Sequence, residues 1–112
     1  MDTLEKEKEL IESANEYLRS ITSYNTELNL LVQKMKVDLG DWEKQEHNGR
    51  FKVKNIIKVP VDYTFRNYEG YGEGKSIKLA KEEASKQILE QVYKNSPYFM
   101  HEMQKITIPR KW

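Results

Sequence analysis

Lys75, Lys78 and Lys81 crowd the start of the stretch from Gly70 to Val92, GYGEGKSIKLAKEEASKQILEQV. Ile77, Ala80, Ala84, Ile88 and Val92 recur there at helical spacing, which predicts a glycine-hinged turn opening into a long amphipathic helix. Small side chains at 80 and 84 would let that helix lie close on a sheet. Its opposite edge would carry Lys78 and Lys81 one turn apart, beside an N-terminus whose free N–H groups already attract anions. Helix starts ordinarily hold Glu or Asp, because a cation there opposes the dipole. Lysines in their place point to a phosphate partner.

Other chemistries find less support. Gly70-Tyr-Gly-Glu-Gly74-Lys75-Ser76 looks like the G-x-x-x-x-G-K-[ST] loop of nucleotide-binding proteins, but the position that needs the first glycine is Glu69. Counted from Gly70 the loop is one residue short, so it cannot wrap a phosphate with successive N–H groups. With no cysteine, neither a disulfide framework nor a thiolate metal site is available. His47 and His101 stand apart, without the spacing of a zinc site, and are expected to be solvated. No apolar run approaches a transmembrane span and the N-terminus is acidic, so a soluble chain of intracellular type is expected.

The net charge of +1 says little, whereas its distribution says more. Residues 1–27 carry Asp2, Glu5, Glu7, Glu9, Glu12, Glu16 and Glu27 against Lys6, Lys8 and Arg19, a net of −4. Residues 50–81 carry Arg50, Lys52, Lys54, Lys58, Arg66, Lys75, Lys78 and Lys81 against Asp62, Glu69 and Glu73, a net of +5. A basic region behind an acidic leader can hold a phosphate footprint that the whole-chain charge conceals.

The elements that must position these lysines are readable from periodicity. A helix is expected over 3–22, with Ile11, Ala14, Leu18 and Ile21 on its apolar stripe and Leu10, Tyr17 and Tyr24 widening it. It would cover this domain, pair with a second copy, or end a preceding domain. After a break at Ser23-Tyr-Asn25-Thr26, a second helix runs from about Thr26 to Val37, burying Leu28, Leu31, Val32 and Met35. Asp41 to His47 is a weak strand. Asn48-Gly49 signals a two-residue hairpin, since both residues tolerate positive φ. Phe51, Val53, Ile57 and Val59 then alternate with Lys52, Lys54 and Lys58, as in a sheet with one wet face. Pro60 and Asp62 suggest a bend, with a third strand from Tyr63 to Tyr71. Ser96-Pro97 caps and opens a last short helix, whose Tyr98, Phe99, Met103 and Ile106 would pack back onto the domain. Arg110 and Lys111 are expected to be solvated.

GEGKSIKLAKEEASKQIL resembles the last motif of the double-stranded RNA-binding domain, G-x-G-x-S-K-K-x-A-K-x-x-A-A-x-x-x-L. Gly72, Gly74, Ser76, Lys78, Ala80, Lys81, Ala84 and Leu89 fall on its positions without a gap, while Ile77 and Ser85 depart from it. Ile77 followed by Lys-x-Ala, and the tail SPYFMHEMQKITIPR, are similar to the C-terminal domain of RNase III enzymes of budding-yeast type, or of the related budding-yeast Dicer. The resemblance implies an α+β fold of order α-β-β-β-α over 25–95. An extra helical extension or linker precedes it at 1–24, and a short helix with a tail follows at 96–112. It further implies that the 26–37 helix reads an RNA minor groove through Asn29, Gln33 and Lys36, although the same positions also suit a plain solvated face. The family's G-P-x-H loop between the first two strands would correspond to the shorter His47-Asn48-Gly49-Arg50, with His47 or Arg50 reaching a second minor groove. Lys75, Ser76, Lys78 and Lys81 would hold phosphates across the major groove.

On that resemblance the partner is double-stranded RNA or an RNA hairpin, bound by shape as the substrate-recognition module of an RNase III-type ribonuclease, nuclear or nucleolar, otherwise cytoplasmic. No carboxylate cluster of a nuclease is visible, so this chain is expected to bind rather than cut. Mg2+ would belong only to an upstream catalytic domain, and no cofactor is expected here. No membrane partner is expected. The competing reading is a protein-interaction or dimerisation module of the same fold, with homodimers formed through the parent protein or the N-terminal helix.

Overall fold

The computed structural model describes residues 3–61 and 63–107 of the chain. In order the elements are α1 (Thr3–Ser20), α2 (Tyr24–Met35), β1 (Asp38–Leu39), β2 (Glu43–His47), β3 (Arg50–Val61), β4 (Thr64–Gly74), α3 (Ile77–Asn95) and α4 (Pro97–Thr107). The result is a compact α+β fold in which α3 lies on one face of a small antiparallel sheet and the other helices pack around α3.

β3 is the spine of the sheet. β4 pairs along all of one side, from Phe51↔Gly74 to Val61↔Thr64. β1 and β2 share the other side as one interrupted strand. Asp38 and Leu39 oppose Lys58 and Ile57, and Glu43 to His47 oppose Lys54 to Arg50. Three residues, 40–42, therefore face two, 55–56, which is a bulge. Gly40 N–H still donates to the Ile56 carbonyl at 2.9 Å. Pairing thus starts three residues earlier than the expected strand at Asp41. The hairpin at Asn48-Gly49 forms as its sequence requires, with φ of 52° and 77° and His47 paired to Arg50. No bend occurs at Pro60: β3 continues through it and Pro60 pairs with Phe65. Past Lys58 only β4 flanks β3, the edge setting in which a strand proline is tolerated. Asp62 lies outside the described residues.

The expected glycine hinge is a strand. Gly70, Gly72 and Gly74 alternate in β4 on the face turned to α3. A Cβ at Gly72 would lie 1.7 Å from the Ala80 carbonyl oxygen, and one at Gly70 2.4 Å from that of Ala84. Glycines in the strand and alanines in the helix together bring the two backbones into contact. Ala80, Ala84, Ile88, Leu89 and Val92 are fully buried there. Ile77 is only half-buried at the helix start.

The main core gathers Leu28 and Leu31 of α2, Ile57 and Val59 of β3, Ile88, Leu89, Val92 and Tyr93 of α3 and residues of both flanking helices. From α1 come Ala14, Tyr17 and Leu18. Ile11 stays 45% exposed, because Ala14, Tyr17 and Leu18 define the centre of the stripe and Ile11 falls at its edge. From α4 come Phe99, Met100 and Met103, while Tyr98, expected inside, is 64% exposed and sets its ring edge-on to Phe99. The Ile106 side chain, Arg110 and Lys111 lie outside the described residues.

One carboxyl group is buried within this core. Glu27 of α2 accepts hydrogen bonds from the Tyr17 and Tyr93 hydroxyls, both 2.7 Å from Oε2, so α1, α2 and α3 meet at one oxygen. Burial foremost, and then the charge and hydrogen bond of Glu27, push the Tyr93 hydroxyl far above the ordinary phenol range. Below the usual tyrosine pKa of 10.0 the proton stays on in folded and unfolded chains alike. Above it the unfolded chain releases its proton first, so stability falls with rising pH by up to about 1.4 kcal/mol per unit for this group. Tyr93→Phe should therefore show a shallower loss of stability between pH 10 and 11, read as urea midpoints. A variant as steep as the wild type would show that Tyr93 titrates alike in both states.

Candidate nucleic-acid interface

α3 begins at a serine cap. Ser76 has extended backbone angles (φ −141°, ψ 161°), and its Oγ accepts from Leu79 N–H at 3.2 Å. This predicted contact is therefore already engaged in holding the helix start. No acidic residue occupies the first turn. Lys75 and Lys78 are exposed, and Lys81 is half-buried with its ammonium 5.4 Å from the centre of the Trp42 ring. Among the described residues, no carboxylate forms an ion pair with any of the three. Trp42, within the bulge, packs on the cluster of Val53, Ala80 and Ala84 and so forms a platform beneath the Lys81 head group.

The register adds a residue that the linear reading passed over. In β2, Lys44 opposes Val53, which puts it on the helix-side face of the sheet, and it is exposed there. Its strand neighbour Trp42 carries Lys81, so a fourth cation borders the same surface. Glu46, opposite Phe51, is the carboxylate on that face of β2. The alternation Trp42-x-Lys44 was the available signal, but a one-residue uncertainty in strand start reverses every face.

Asn29 and Gln33 are exposed on α2, on the side away from buried Leu28 and Leu31. Lys36 does not continue that helical face: it is the C-cap, in the left-handed region at φ 55°. Val37 is then buried and Asp38 enters the sheet opposite Lys58. Lys75 follows Gly74, which pairs with Phe51, so Lys36 and Lys75 adjoin opposite ends of β3. Seven residues separate their pairing positions, about 23 Å of strand.

His47 and Arg50 part from this group. Their register places both on the open face of the sheet, opposite α3, and Arg50 Nε pairs with Glu73 at 3.3 Å. Other charges of the open face also have partners on it. Lys54 pairs with Glu69 at 3.6 Å and lies over the Tyr71 ring, Tyr71 hydroxyl donates to Glu69, and Lys58 lies over Phe65. The Glu69 hydrogen bond is the chief cause that raises the Tyr71 hydroxyl above its usual pKa. Ile56, Phe65 and Tyr71 remain 38–60% exposed on this side.

Among the described residues, no group of His, Cys, Asp and Glu could hold a metal ion, and no helix is long and apolar enough to cross a membrane. The site thus defines an α+β domain whose principal helix opens in a cationic ridge without carboxylate partners among the described residues, beside a second helix with exposed amides. Compared with known proteins, the chain matches no family model, no curated protein and no solved structure.

Proposed function

We propose that this chain binds double-stranded RNA by shape, as the substrate-recognition module of an RNase III-type ribonuclease. The observation that carries the reading is the start of α3. Lys75, Lys78 and Lys81 occupy a helix end that electrostatics would fill with carboxylates, and none has an ion-pair partner among the described residues. A helix so arranged gives up self-stabilisation that an anionic partner restores. The partner's phosphates would span the compressed major groove of an A-form duplex, with Lys44 at the border of the contact.

Asn29 and Gln33 would then enter the adjacent minor groove, where amide groups bond 2′-hydroxyls and base edges. Lys36, at the αL cap, would meet the flanking phosphate. Duplex readers of this kind cover about 16 base pairs, which suits contacts spread over more than about 20 Å. A second minor-groove contact falls to the tip at His47-Asn48-Gly49, since Arg50 is tied to Glu73. Selectivity for RNA follows from the 2′-hydroxyls and from phosphate spacing, with little reading of bases. Cleavage and Mg2+ would belong to a separate catalytic domain.

The test is a gel shift with an RNA hairpin beside DNA of the same sequence. RNA should bind at least about tenfold more tightly, with a log–log salt slope of about −3 to −4 for three to five phosphate contacts. Equal affinity for both, or a slope near zero, would exclude duplex-shape reading. The uncovered Ile56, Phe65 and Tyr71 favour protein association as the second reading. A mass measurement in solution that gives a dimer, with no RNA shift, would select it.

A further inference from the structure

Glu82 stands four residues after Lys78 and next to Lys81, the spacing at which a glutamate ordinarily pairs with lysine along a helix. It does not pair with either. Its Oε1 accepts from Tyr24 N–H at 2.8 Å, and its Oε2 accepts from Asn25 N–H at 3.1 Å and from the Ser23 hydroxyl at 3.0 Å. These groups form the first turn of α2, whose N–H groups have no partner within their own helix. Ser23 supplies the local cap to Thr26 N–H at 3.3 Å, so Glu82 satisfies the amides that the local cap leaves over. One turn further along α3, the Ser85 hydroxyl donates to Asn25 Oδ1 at 3.4 Å.

We infer that Glu82 is the positioning residue that sets the place of α2 against the lysine ridge of α3, and thereby selects the A-form duplex. The inference rests on the duplex-binding reading above. Two consequences follow from one side chain. Its negative charge is taken up by the positive end of α2, which leaves Lys78 and Lys81 without a carboxylate partner among the described residues. The start of α2 is fixed to the turn of α3 that carries Lys81, so the spacing between amide and phosphate contacts is set across 57 to 59 residues of chain. A groove-spanning reader depends on that spacing, because a shifted helix meets the wrong strand of the duplex.

The sign of the effect separates this role from simple surface charge. A carboxylate beside a phosphate-binding ridge repels RNA, so if Glu82 were only a charge, Glu82→Gln would tighten binding. As a positioning residue its loss weakens binding. Glu82→Asp keeps the charge but falls one methylene short of the α2 amides, and Glu83→Gln makes the same charge change at an exposed neighbour with no such contact. Affinity for the RNA hairpin and hydrogen exchange at the Tyr24 and Asn25 amides are measured together, with β3 amides as the check that the domain is folded.

Both Glu82 variants should bind about fivefold or more weakly with an unchanged salt slope, and both should lose protection at Tyr24 and Asn25 while β3 stays protected. Glu83→Gln should bind as well as the wild type or slightly better. Unchanged or tighter binding by Glu82→Gln, or retained protection at Tyr24 and Asn25, overturns the assignment while duplex binding stands. Absence of wild-type binding overturns the duplex reading itself and this assignment with it.

Discussion

Gly72→Ala is expected to cost about 3 kcal/mol, a large share of the about 5–15 kcal/mol that whole domains hold. The cause is space rather than backbone freedom. A methyl group at Gly72 would sit 1.7 Å from the Ala80 carbonyl oxygen and 2.7 Å from the Ala84 nitrogen, both helix backbone atoms that no rotamer change can move. α3 would have to lift off β4, and with it the Val53–Ala80–Ala84 cluster and the seat of Trp42. Gly49→Ala is the contrasting variant. Gly49 has open space around its would-be Cβ but a φ of 77°, so its cost should be about 1 kcal/mol of strain. Thermal melts of both variants decide the matter. A Gly72→Ala protein within 1 kcal/mol of wild type would mean that α3 does not pack backbone to backbone on the sheet.

The double variant Lys78→Glu, Lys81→Glu should lose at least about a hundredfold in affinity for duplex RNA without loss of stability. On the duplex-binding proposal, two attractive phosphate contacts become repulsive. The folded state gains at the same time, because a carboxylate at position 78, in the first turn of α3, complements its dipole by about 0.3–1 kcal/mol. Against this stands the Lys81 contact with Trp42, worth roughly 0.5–1 kcal/mol. Melting temperature should thus hold or rise while binding disappears, an opposition of signs that a structural role for the lysines cannot produce. Hairpin titration and a thermal melt on one preparation suffice. Unfolding of the variant would make the lysines structural, and retained affinity would remove α3 from the interface.

Much of this architecture is local and could be read from the chain. Asn48-Gly49 specifies its turn because few residue pairs accept two positive φ values, and β3 announces its two faces through an alternation broken only at Asn55-Ile56. The lysines of α3 were legible for the same reason: a helix start needs only neighbouring residues to define its field. The same local reasoning misread Gly70, Gly72 and Gly74. Glycine usually punctuates a turn, and nothing nearby reveals that a helix backbone will press on it. Ile11 and Tyr98 were misplaced because periodicity gives the direction of an apolar stripe but not how wide a neighbour will cover it.

Sequence by itself determined that the chain would make amphipathic helices around a half-wet antiparallel sheet, and that one helix would begin with cations where anions belong. Tertiary structure alone decided which carboxylates those cations would meet. Glu27 read as part of an acidic leader, yet it is buried between tyrosines from two other helices. Glu82 stands four residues from Lys78, a spacing at which charges pair along a helix, yet it is drawn to the α2 amides nearly sixty residues away. Hydrogen-bond donors without partners compete for a carboxylate according to distance in space, and the order of residues along a chain does not contain that distance.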